Sequence, residues 1–84
     1  MQIVYVLKSD KDKKWYIGCT SDLDKRLEEH NKGKVLSTKS RVPFSILYFE
    51  KFIDKHEAFR TEKFYKTAQG KRVLKHKIIN CRVV

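Results

Sequence analysis

Five side chains in this sequence carry chemistry at spacings that a small fold can bring together: Tyr5, Tyr16, Arg26, His30 and Glu62. Arginine is a fixed cation whose planar fork matches phosphate oxygens, and histidine exchanges a proton near neutrality. A single carboxylate such as Glu62 suits a hard cation that keeps much of its water. A free phenol has a pKa of about 10, so a tyrosine moves a proton at working pH only when a neighbouring cation or hydrogen bond helps it. Taken singly, each residue has an ordinary explanation. Strand tyrosines commonly pack with a polar tip in water, Arg26 can pair with Asp22 or Glu29, His30 suits the end of a helix, and Glu62 can pair with Lys66 one turn on.

The segment Gln2 to Lys8 is rich in β-branched and aromatic residues, and the polar run Ser9 to Lys14 ends it, which predicts a first strand and a hairpin loop. Trp15 to Gly18 resumes β character, so Tyr5 and Tyr16 fall on neighbouring antiparallel strands. A helix follows, with Ser21 or Asp22 as its N-cap and Gly33 placed for its C-terminal cap. Leu23 and Leu27 form its core stripe, and Arg26 and His30, also four apart, share a second face. Lys34 to Pro43 reads as a surface loop, and Phe44 to Phe52 as a third strand. Asp54 caps a helix through about Ala68 that sets Ala58, Glu62 and Tyr65 on one face, Gly70 breaks it, and Lys71 to Ile79 forms a last short helix. This order predicts an α+β fold, a small three-stranded, mainly antiparallel sheet flanked by helices, as one domain over residues 1–84.

Twenty Lys and Arg stand against ten Asp and Glu, a net charge of +10, and such an excess attracts polyanions through their counterion atmosphere. Nucleic acid is therefore the leading partner. Cys19 and Cys81 have neither the spacing nor the histidine neighbours of a disulfide framework or a zinc site. No stretch approaches the roughly 20 apolar residues of a membrane span, and a cytoplasmic setting is expected.

Ile3-Val4-Tyr5 on the first strand and Tyr16-Ile17-Gly18 on the second resemble the paired tripeptides of the GIY-YIG nucleases. Arg26 ten residues after Tyr16, His30 four further on, and Glu62 on the later helix are similar to that family's tyrosine, arginine, histidine and glutamate pattern. The stretch from Val42 through Lys66 further resembles its small stand-alone members, described as predicted endonucleases. One departure is Ile3 where the first tripeptide has glycine, which alters backbone freedom and leaves the tyrosine in place.

The resemblance implies a metal-dependent endonuclease that hydrolyses phosphodiester bonds in DNA, with structured or damaged DNA in repair or recombination as the expected substrate. It implies that Tyr5 or Tyr16 helps deprotonate the attacking water, Arg26 clamps the scissile phosphate, His30 relays a proton or binds phosphate, and Glu62 holds Mg2+, with Mn2+ as a substitute. Lys8, Lys14, Lys34, Lys39, Arg41, Lys66, Lys71 and Arg72 are the expected contacts to the nucleic-acid backbone. Asn80 is a weaker site candidate, Cys19 is given no role, and His56 and His76 read as surface residues. Nothing here reads bases in a groove, which leaves three expectations open: action on structured or damaged DNA, a protein partner that supplies specificity, or cutting with little preference. The alternatives are a non-catalytic basic nucleic-acid-binding module with the same fold and a domain whose basic face docks an acidic protein.

Overall fold

Four consecutive residues of the first strand, Val4 to Leu7, are buried, because both faces of the strand are covered. In the computed structural model, which describes the backbone of residues 1–82 and the side chains of residues 1–80, this strand is β1, Gln2–Ser9. It is the middle of a three-stranded antiparallel sheet, with β2, Trp15–Thr20, on one side and β3, Phe44–Phe52, on the other. The register sets Tyr5 opposite Gly18 and Leu7 opposite Tyr16 across β1 and β2. Between β1 and β3 it shifts after Val6, which faces Tyr48, to Leu7, which faces Ile46, so Leu47 has no opposite residue and the strand bends there.

Alternation along β1 feeds two cores. Val4 and Val6 pack with Ile17, Ala58, Tyr65, Leu74 and Ile78, while Tyr5 and Leu7 pack with Leu23 and Phe44 on the opposite face. The second core is covered by α1, Leu23–Asn31, whose N-cap Asp22 accepts a hydrogen bond from the Lys25 N–H at 3.1 Å. Gly33 follows the helix at φ 75°, a left-handed conformation natural to glycine. The Asn31 side chain then fastens α1 to β3, accepting from the Phe44 N–H at 2.7 Å and donating to the Phe44 carbonyl at 3.0 Å.

Ser9 ties the hairpin loop to the segment before β3. Its fully buried hydroxyl accepts from the N–H groups of Lys11 and Asp12 and donates to the Arg41 carbonyl. Arg41 closes the same junction, with its Nε 2.7 Å from Asp12 Oδ2 and its guanidinium over the Phe44 ring. Lys39–Arg41 forms a single 3-10 turn within the expected loop.

The first core is covered by α2, Lys55–Tyr65, capped by Asp54 as the sequence predicts, and α3, Ala68–Arg82. The reading of Gly70 needs correction: α2 ends at Tyr65, and Gly70 lies inside α3 rather than between helices. A Cβ at Gly70 would come within 1.7 Å of the Phe64 carbonyl oxygen. Glycine is there so that the start of α3 can lie against the backbone of α2, and Thr67 caps the new helix by accepting from the Gly70 N–H at 3.0 Å. Among the described residues no helix is long and apolar enough to cross a membrane. The side chain of Cys81 and residues 83–84 lie outside the described region.

Candidate active site

The sheet register, one glycine and one buried loop residue assemble the site. Tyr5 is buried under α1 with its ring over Gly18, where a Cβ would meet the phenol oxygen at 2.4 Å. Gly18 is thus needed for the close approach of the tyrosine on the neighbouring strand. The Tyr5 hydroxyl reaches His30 Nε2 at 3.1 Å, and His30 Nδ1 lies 2.7 Å from Thr38 Oγ1. Tyr5, His30 and Thr38 are all fully buried, so the three form an internal chain of hydrogen bonds. Half-buried Tyr16 borders it, with its ring centroid 5.0 Å from that of His30 and 6.4 Å from that of Tyr5.

The electrostatics follow from this burial. Burial pushes the Tyr5 phenol above its usual range, and this outweighs the opposing hydrogen-bonding influence of the Arg26 guanidinium. The same contact, with Glu29 at 3.3 Å, raises the pKa of Arg26 and secures its charge. His30 is pushed below 6.5, first by burial and then by the charge of Arg26. It is neutral at neutral pH, so one ring nitrogen is an acceptor and the other a donor. The Thr38 hydroxyl has two acceptors within reach, His30 Nδ1 at 2.7 Å and the Val35 carbonyl at 3.4 Å. Donation to Nδ1 leaves a proton on Nε2 to support a Tyr5 phenolate; donation to Val35 leaves Nε2 free to accept the Tyr5 proton.

Glu62 comes from the other side of the sheet. Its side chain, 21% exposed, pairs with Lys66 at 3.0 Å, and its charge acts on both Tyr5 and Cys19. The local pairing with Lys66 and the approach to the tyrosine site therefore coexist. No group of three His, Cys, Asp or Glu side chains among the described residues is arranged to hold a metal ion. One accessible carboxylate whose charge reaches the tyrosine site would suit a Mg2+ ion that keeps most of its water, and does not fit a tightly enclosed cation or a tetrahedral zinc.

The five chemical candidates thus converge, and the cationic ones scatter. Lys14, Lys66 and Lys71 line one groove together with Tyr16. Lys34, Lys39 and Arg72 are exposed elsewhere, and Lys8 is half-buried on β1. Arg41, expected to face a phosphate backbone, is engaged by Asp12. Asn80 faces His76 at 3.2 Å on exposed α3 and has no hydrogen bond to Tyr5, Tyr16 or His30 among the described residues. Burial and then Glu62 push the Cys19 thiol up, so it is no activated thiolate. Thr38 was not legible as a site residue, because the only cue to it is its proximity to His30 after the loop has folded.

The chain that folds into this small antiparallel sheet with two tyrosines, and helices carrying the arginine, histidine and glutamate, matches over residues 1–76 the family model described as the GIY-YIG catalytic domain. The chain belongs to the GIY-YIG family, a nuclease family. Its relatives are small UPF0213 proteins. It is 42% identical over 69 residues to the UPF0213 protein YazA of Bacillus subtilis, covering 81% of this chain and 69% of that one. It is 42% identical over 77 residues to a UPF0213 protein of Oceanobacillus iheyensis, covering 90% of this chain and 86% of that one. The solution NMR structure of a UPF0213 protein from Bacillus halodurans matches with a TM-score of 0.54 at 36% identity, covering 88% of this chain and 82% of that one.

Proposed function

We propose that this chain is a divalent-metal-dependent endonuclease that hydrolyses phosphodiester bonds in DNA, with Tyr5 as the group that takes the proton of the attacking water. The observation that carries this reading is the buried chain Tyr5–His30–Thr38 with Arg26 acting on the same phenol. Tyr5 has a neutral imidazole that either accepts its proton or donates to its phenolate, and a fixed cation that favours the charged form. Tyr16 borders the same space and orients the substrate beside Tyr5. Arg26 faces the phosphate as negative charge grows on its oxygens. Glu62 would hold the divalent metal, Mg2+ or Mn2+, which when bound neutralises charge on the phosphate and supports the leaving oxygen. Lys66 then passes from Glu62 to the phosphate backbone. The net positive charge supports a nucleic-acid substrate, and we assign specificity for structured or damaged DNA to a protein partner in a cytoplasmic repair or recombination setting.

The test is cleavage of supercoiled plasmid and of branched and single-stranded oligonucleotides, with Mg2+ or Mn2+ and with EDTA, comparing wild type with Glu62→Ala and Arg26→Ala. Metal-dependent cutting abolished in both variants is the expected result. Salt-sensitive binding without any cutting, unchanged in the variants, would replace this reading with that of a non-catalytic binding module.

A further inference from the structure

A groove runs beside β2, one of the two outer strands of the sheet, and is lined by Lys13, Lys14, Lys66, Lys71 and Lys75. The hairpin supplies two of these lysines and the α2–α3 corner three, and among the described residues no carboxylate lines the groove. Only Lys66 is in an ion pair among the described residues. Lysines held together without acidic partners repel one another, and a string of phosphates relieves that repulsion.

Trp15 lies among these lysines. It packs against the core and stays half-buried, and its indole N–H has no acceptor among the described residues. Every buried side-chain polar atom that is described has a partner, so this N–H keeps access to solvent. Tyr16, the next residue, lines the same groove and is in ring contact with Tyr5 and His30. The groove therefore leads to the candidate active site.

We propose that this groove is the track for one unpaired DNA strand, with a base stacked on Trp15 and the flanking phosphates on the lysines of the hairpin and of α3, so that the adjacent phosphate reaches Tyr16 at the border of the buried Tyr5–His30 chain. The proposal rests on the nuclease reading for what happens at that phosphate, and it names the substrate class as DNA with a single-stranded segment. In a duplex both faces of each base are covered by neighbours, so an aromatic side chain in a cationic groove contributes fully only to an unpaired strand. Stacking tolerates every base, consistent with a site that has no groups set to read base edges.

Trp15 is the only tryptophan of the chain, so its emission reports directly on the groove. In EDTA, titration with a 12-nucleotide oligo(dT) is expected to quench this emission to saturation, and a blunt 12-base-pair duplex is expected to leave it nearly unchanged. Trp15→Leu should weaken oligo(dT) binding roughly 5- to 150-fold and duplex binding less than twofold, while Trp15→Phe, which keeps a stacking face, stays close to wild type. Lys71→Glu with Lys75→Glu should weaken both ligands and flatten the salt dependence. An oligo(rU) arm binding more tightly than oligo(dT) would overturn the assignment to DNA. Equal quenching by duplex, no quenching, or equal losses for both ligands in Trp15→Leu would overturn the track. Metal-dependent plasmid cutting is measured in parallel: cutting without quenching removes the track alone, and quenching without cutting removes the nuclease reading and leaves the strand-binding groove.

Discussion

The sheet carries a tyrosine cluster on each face, and the two are built to opposite ends. Under α2 and α3, Glu50 accepts from Tyr65 at 2.6 Å, from Tyr48 at 2.7 Å and from Lys77 at 3.0 Å, and Lys77 also donates to the Tyr65 hydroxyl at 2.7 Å. Burial acts to raise the pKa of Glu50, but these three donors outweigh it and hold the carboxyl below its ordinary value. The carboxylate has its counter-ion in Lys77, and the cluster is closed in the sense that its own members satisfy its charges, although Lys77 and Glu50 are 44% and 20% exposed. Under α1, Tyr5, His30 and Thr38 hold one another, while Arg26 and Glu62 keep access to water and reach the cluster from its rim. Phenols occur in both, so chemistry is read from the charges at the rim and not from residue type.

The largest expected separation between the clusters comes from removing one hydroxyl from each. Tyr5→Phe should lower plasmid cutting by roughly 10²- to 10⁴-fold with a stability loss of about 1–2 kcal/mol in urea melts. Tyr65→Phe should cost a similar stability and leave cutting within about threefold of wild type. Equal activity losses would erase the distinction between a closed and an open cluster.

Two glycines sharpen the same comparison. Gly18→Ala drives a methyl into the Tyr5 ring, so cutting should fall at least about tenfold, with about 1–3 kcal/mol of destabilisation from overpacking. Gly70→Ala meets backbone instead and should cost at least as much stability, with a smaller effect on cutting per folded molecule. Thermal melts and nicking assays on both variants check the pair.

The dependence of rate on pH is a third test. With Tyr5 raised above its usual range, chiefly by burial, single-turnover cutting should climb from pH 6 to pH 9 without levelling. A plateau near neutrality would assign the proton transfer to a different group. Tyr65 is likewise raised by burial and then by Glu50, and in the closed cluster this shift should leave no trace in the rate.

The smallest effect is on stability. His30 is depressed from 6.5 in the folded protein, so the unfolded chain binds the proton first and stability falls as pH drops below about 6.5. Glu50, depressed from 4.5, contributes stability above about that pH that is lost on further acidification. Melting temperatures between pH 8 and pH 3 should show two separate declines, the first absent in His30→Leu. A single decline below pH 4.5 would mean that protonating His30 has little cost.

Local signals in the sequence mark the strands, the cap at Asp54 and, as one of two candidates with Ser21, the cap at Asp22, because alternation and capping are properties of neighbouring residues. What they miss depends on chain segments that meet only in the fold. Arg26 and His30 share a face by spacing, yet one is at the rim and the other fully buried, because Thr38 folds over the second. Gly70 reads as a helix breaker, but its reason is the Phe64 backbone beside it. Arg41 reads as a free cation, but its partner is Asp12, 29 positions away. The lysines of the groove come from a hairpin and two helices, and no single window of sequence shows them together.

The contact at Gly70 also fixes a length. Glu62 belongs to one helix of the corner and Lys71 and Lys75 to the other, and the backbones touch where any side chain would hold them apart. The spacing of the two helix backbones that carry the carboxylate and the lysines is therefore set by main-chain geometry, as on a gauge block, and the side chains reach out from that fixed base. On the nuclease reading proposed above, a strand lying along those lysines would be registered against the carboxylate by the corner, and the position of the cut would follow the corner rather than the bases that pass through it.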